Sequence, residues 1–100
     1  MVRQVVWSNR AKVDRMDILE YWKLRNDSNQ YSLKLNSSFK NTTKLIRNYP
    51  RIGRPTNKKN VRIVVVKDYL MIYEILDVHI LIVALWGSRQ DPDGLQRFLR

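Results

Sequence analysis

Three strand-like runs, VRIVVV at 61–66, YLMIYEIL at 69–76 and HILIVALW at 79–86, follow one another with only two residues between them. Nothing else in the chain constrains the fold as tightly. Runs rich in β-branched and aromatic residues with two-residue connections read as an antiparallel meander. Such turns set the register. Val66 should pair with Tyr69 and Leu76 with His79, which places Tyr73 opposite Ile82 and Tyr69 opposite Trp86.

Alternation then sorts the side chains. One face carries Ile63, Val65, Leu70, Ile72, Glu74, Leu81, Val83 and Leu85, and is expected to lie under helices. The other carries Arg62, Val64, Tyr69, Met71, Tyr73 and Trp86. An aromatic face with an embedded cation is expected to be a partly open binding surface.

Before the meander, residues 2–7 read as a short strand, followed by a possible N-cap at Ser8 or Asn9. A helix is predicted over 10–25, with Ala11, Ile18 and Trp22 on one side. Its opposite side carries a second apolar stripe, Val13, Met16 and Leu24, beyond what a surface helix needs. Turn residues at 26–29 lead to a second helix over 30–48, with Tyr31, Leu35, Phe39, Thr42, Leu45, Ile46 and Tyr49 on one broad face. The segment Tyr49-Pro50-Arg51-Ile52-Gly53-Arg54-Pro55 breaks that helix. A short helix is expected to start near Pro92.

The expected architecture is therefore α+β with order β-α-α-β-β-β. A helical hairpin packs on one face of a four-stranded, largely antiparallel sheet. One hundred residues suit a single domain spanning 1–100.

Charge narrows the partners. Nineteen Lys and Arg against nine Asp and Glu give +10. No acid occurs between Asp27 and Asp68, a stretch with ten bases. A polyanion or an acidic protein is the expected partner. Without cysteine, and with a single histidine, thiolate and His-cluster metal sites are excluded, and no cofactor motif is visible. No apolar stretch is long enough to span a bilayer, no signal peptide is visible, and the chain reads as cytoplasmic.

The early strand with Trp7, DILEYW at 17–22, YPRIGRPT at 49–56, NVRIVVVKDYLMIYEI at 60–75 and LWGSRQDP at 85–92 together resemble the RelE/ParE superfamily of toxins from bacterial type II toxin–antitoxin modules. The resemblance spans nearly the whole chain. It implies a growth-inhibiting toxin neutralised by a cognate antitoxin, with no small-molecule substrate. Two targets are implied by different branches. ParE-like members inhibit DNA gyrase; RelE-like members cleave mRNA on the ribosome without a metal.

Cleavage needs cations on the scissile phosphate and groups that move protons to and from the ribose and leaving oxygens. By the resemblance, Arg89 matches a nuclease arginine and Arg62 stands near a family lysine, which makes them the candidate catalytic pair. The remaining nuclease positions fall at Leu70 and Leu95, where the family has an arginine and a tyrosine. Candidate target contacts are Lys58, Lys59, Lys67, Tyr69, Tyr73 and Trp86. Candidate antitoxin contacts are Val13, Met16 and Leu24. A non-toxic basic RNA- or DNA-binding module is the alternative.

Overall fold

A computed structural model describes residues 2–88 and 90–99. The elements are β1 (Gln4–Trp7), α1 (Asn9–Asn26), α2 (Gln30–Asn48), β2 (Arg54–Pro55), β3 (Val61–Val66), β4 (Tyr69–Ile75), β5 (His79–Gly87) and α3 (Pro92–Phe98). The expected α+β order holds. The sheet has five strands rather than four, in the order β1-β5-β4-β3-β2, because Arg54 and Pro55 form a two-residue edge strand against Ile63 and Arg62. Proline at that edge fits the rule that a residue without an N–H sits where no further ladder is needed. β1 runs parallel to β5, while β2 to β5 are antiparallel.

Ser8 caps α1 by accepting from the Ala11 N–H at 3.0 Å. Asp27 ends the helix in the left-handed region at φ 48, a conformation Asp tolerates better than most residues. The turn to α2 is short, so the helices are antiparallel neighbours. Ser32 Oγ, nearly buried, donates to the Leu19 carbonyl at 2.6 Å and ties the pair together. Of the α2 face read from sequence, Leu35, Phe39 and Ile46 are fully buried. Leu45 and Tyr49 are not, being 41% and 64% exposed at the C-terminal end of the helix.

The hairpin covers the face of the sheet opposite to the one expected. Ala11, Leu35, Phe39 and Ile46 pack with Val66, Met71, Tyr73, Ile80, Ile82 and Leu85, and with the partly buried Val64 and Tyr69. The aromatic face is thus the main core. The aliphatic face is a second core, in which Val61, Ile63, Ile72, Ala84 and Trp86 meet Leu95, Phe98 and Leu99 of the α3 region. Both faces are apolar along β3 and β4, so alternation there gave the two sets of residues but not which set the hairpin would take.

The register departs from expectation at one point. Val66↔Tyr69 and Tyr73↔Ile82 hold, but Tyr69 pairs with Gly87 and Leu70 with Trp86. A bulge accounts for it: Ile72 pairs with Ala84 and Tyr73 with Ile82, leaving Val83 without a partner across β4. One inserted residue inverts the facing of everything beyond it. Trp86 therefore falls on the α3 side and Leu85 on the hairpin side. The bulge's backbone groups are taken up by α1 and its cap. Ser8 Oγ donates to the Val83 carbonyl at 2.8 Å, and the Leu85 N–H donates to Asp14 Oδ2 at 3.1 Å.

Candidate target-binding surfaces

The loop after α2 is shaped by two strand residues that face each other across β3 and β4. Tyr73 is fully buried, and its phenol accepts from the Gly53 N–H at 2.9 Å while donating to the Pro50 carbonyl at 2.6 Å. Its cross-strand neighbour Arg62 donates from Nη1 to the carbonyls of Gly53, at 2.6 Å, and Arg51, at 3.1 Å. Burial raises the Tyr73 phenol above the usual tyrosine range, against smaller opposing effects of the Gly53 N–H and Arg62. Gly53 is required by space. A Cβ there would stand 2.7 Å from the Tyr73 hydroxyl and 2.9 Å from the Ile63 carbonyl oxygen.

This pinned loop forms one wall of an open groove of about 850 Å³ at the end of the sheet where β3 begins and β4 ends. Arg3, Arg51, Lys58, Lys59 and Arg62 line it, with Asp77 the single carboxylate. None of these groups forms an ion pair with another of the described residues. Among the described residues the ion pairs are Arg10–Asp14, at 3.5 Å, and Arg97–Asp91, at 3.6 Å. The groove is therefore a concentrated, unneutralised positive field. Lys58 and Lys59, expected as target contacts, are both exposed on its wall. Arg3, Arg51 and Tyr49 were missed in the sequence. The only signal was the helix-breaking YPRIGRP segment, and Arg3 arrives from the other end of the chain, its Nε donating to the Leu76 carbonyl at 2.7 Å.

The remaining expected contacts do not form one surface. Tyr69 lies in the hairpin core, where its hydroxyl accepts from Trp22 Nε1 at 2.7 Å and its ring meets Phe39 at 6.1 Å. Tyr73 has no exposed surface. Trp86 lies on the far side of the sheet, 9% exposed, with Nε1 donating to the Gln90 carbonyl at 3.0 Å and the Arg10 guanidinium 5.6 Å from its ring centre. The expected open Arg62/Tyr69/Tyr73/Trp86 face is thus not one surface: helices cover both sides of the sheet, and the bulge turns Trp86 to the face opposite the tyrosines, although Tyr69 and Trp86 both line a small groove beside Arg10. Lys67 is exposed at the β3–β4 turn with φ 57. Arg89, the other half of the candidate catalytic pair, lies outside the described residues. Glu74, expected under the helices, instead lines a smaller groove beside Lys58, Lys59 and Phe98 on the α3 side.

The α1 stripe is where it was expected. Val13, Met16 and Leu24 are 54%, 68% and 71% exposed. Nearby, Leu33 at the start of α2 is 59% exposed. Among the described residues no cluster of acids and histidine could hold a metal ion, and no helix is long and apolar enough to cross a membrane.

A helical hairpin on a mixed sheet, with a cationic groove at the sheet's end and an exposed apolar stripe on α1, defines a small α+β domain. The chain belongs to the ParE toxin family of type II toxin–antitoxin systems, whose family model, ParE toxin of the parDE system, matches residues 5–92. Among solved structures it is similar to a chain of the chromosomal ParDE toxin–antitoxin system from P. aeruginosa. That likeness has 15% identity and a TM-score of 0.75, and covers 88% of this chain and 98% of the other. No curated protein sequence is a match. The family supplies the toxin role; at that identity, the structural likeness speaks for the fold.

Proposed function

We propose that this toxin acts by binding, with DNA gyrase as its target, and that a cognate antitoxin neutralises it. One observation carries the choice of binding over mRNA cleavage. Tyr69 and Tyr73, the two strand tyrosines that could replace the family's missing tyrosine in proton transfer, are both held in structural hydrogen bonds, Tyr73 within the core and Tyr69 half-buried beside it. A general acid or base must reach the substrate before its pKa matters: the Tyr73 phenol is fully buried, and the half-buried Tyr69 phenol is already engaged by Trp22. Membership of the ParE branch supports the same reading.

Purified toxin added to gyrase, relaxed plasmid and ATP should block supercoiling. A translation reaction, with mRNA ends mapped by primer extension, should show no toxin-dependent cuts. Undiminished supercoiling at a large molar excess of folded toxin overturns the gyrase reading. Ribosome-dependent cuts that vanish in Arg89→Ala would restore the nuclease reading.

For the antitoxin, the stripe of Val13, Met16 and Leu24 supplies an apolar seat on a chain carrying +10. An amphipathic, acidic segment that folds on binding complements both features. That the similar structure from P. aeruginosa belongs to a toxin–antitoxin system supports a protein partner of this kind.

A further inference from the structure

We infer that the groove between the 49–53 loop and the start of β3 is a binding site for the phosphodiester backbone of single-stranded nucleic acid, with Tyr49 stacking on an unpaired base. The inference concerns the free toxin and does not depend on gyrase being its target.

Three observations carry it. First, the groove gathers five cations against one carboxylate, from three separated parts of the chain. Holding so many like charges together without ion pairs destabilises the fold unless a polyanion relieves it. Second, the cations differ in kind and are held differently. Arg3 uses Nε on one main-chain carbonyl and Arg62 uses Nη1 on two, which fixes each stem and leaves the other guanidinium nitrogens for a ligand. Lys58 and Lys59, on an exposed loop, suit an adjustable point-charge contact to phosphate. Third, Tyr49 is 64% exposed at the groove's wall. An exposed aromatic ring beside a positive track is the arrangement that holds single strands, one by stacking and the other by charge.

Asn48, Thr56 and Asn60 add polar groups to the same lining. An acidic peptide would use the cations equally well, but it would also need an enclosed apolar pocket for anchoring side chains. The groove is open instead: of its apolar residues Tyr49, Ile52 and Pro55 are exposed, while Pro50, Ile75 and Leu76 are half-buried and Val61 in β3 is buried. A duplex would leave Tyr49 without a base face to meet.

The test is fluorescence anisotropy of the whole toxin with a short labelled oligothymidylate, without gyrase. Three or four neutralised phosphates give a log–log salt slope of roughly −2 to −3. Lys58→Glu with Lys59→Glu should weaken binding at least about tenfold. Tyr49→Ala should weaken it about fivefold or more, with little change for a duplex of the same length. Lys12→Glu with Lys23→Glu makes the same charge change on the exposed side of α1 and should leave affinity within about twofold. All these positions are exposed, and circular dichroism checks that each variant is folded.

Equal losses in the two charge variants would overturn the site, since only overall charge would then matter. So would an unchanged Tyr49→Ala, or a preference for duplex. Binding of poly-glutamate as tightly as the oligonucleotide at matched salt would reassign the groove to an acidic protein segment.

Discussion

Replacing Tyr73 with Phe removes one oxygen from the core and leaves the ring's shape unchanged, so no cavity term enters. That oxygen is the partner of both the Gly53 N–H and the Pro50 carbonyl, at 2.9 and 2.6 Å. A buried donor or acceptor left without a partner costs about 1–3 kcal/mol. Gly53 is buried and Pro50 half-buried, so the N–H should bear most of the penalty while water reaches the carbonyl. The expected loss is about 2–3 kcal/mol. For a domain of this size, that is roughly 10–20 °C in Tm. Urea unfolding should show the midpoint falling with the m-value unchanged, because the same surface is exposed on unfolding. Arg62 holds the same loop from the next strand, so Tyr73→Phe and Arg62→Met should be non-additive, coupling by about 0.5–3 kcal/mol. A change below about 0.5 kcal/mol in Tyr73→Phe, or strict additivity in the double variant, would refute the idea that the two side chains jointly pin the loop.

Gly53→Ala should be at least as damaging, by about 2–4 kcal/mol. The added methyl meets both the Tyr73 hydroxyl and the Ile63 carbonyl oxygen, and the latter is strand backbone that cannot swing away; a Tm within about 3 °C of the parent would contradict this. Alkali should also unfold the protein partly through Tyr73. Burial raises its folded-state pKa, so stability is intact below the unfolded value near 10.0 and falls as pH rises past it, the unfolded chain losing a proton that the native state keeps. In urea midpoints measured above pH 10, Tyr73→Phe should flatten that decline; an identical slope in both proteins would remove Tyr73 from it. Met16→Asp with Leu24→Asp should lower stability by only about 1 kcal/mol, since both residues are exposed, yet weaken antitoxin binding at least about tenfold by calorimetry. Unchanged affinity would take the stripe out of that interface.

The elements of this fold can be read along the chain because their causes are local. The two-residue connections at Lys67-Asp68 and Asp77-Val78 set the meander, the Ser8 cap starts α1, and Tyr49-Pro50 ends α2. The exposed α1 stripe could also be read, since helical spacing alone sets Val13, Met16 and Leu24 apart from Ala11, Ile18 and Trp22. The site was only partly legible. Lys58 and Lys59 stood out as a charged loop, but the groove they line is completed by Arg3, which no local pattern connects to them.

What the sequence by itself determined was which residues share a face along β3, β4 and the first half of β5. It could not determine which face the hairpin would cover, because both are apolar along β3 and β4 and alternation has no sign. Tertiary structure decided that: Tyr69 and Tyr73 went inside, since only there do their hydroxyls meet Trp22, Gly53 and Pro50. The bulge was beyond local reading for the same reason. It is held by Ser8 and Asp14, 75 and 71 residues away from the backbone groups they satisfy, and the extra residue at Val83 sends Trp86 to the α3 side. Short-range chemistry set the strands and helices; pairing of polar groups distant in sequence set which surfaces remain for a partner.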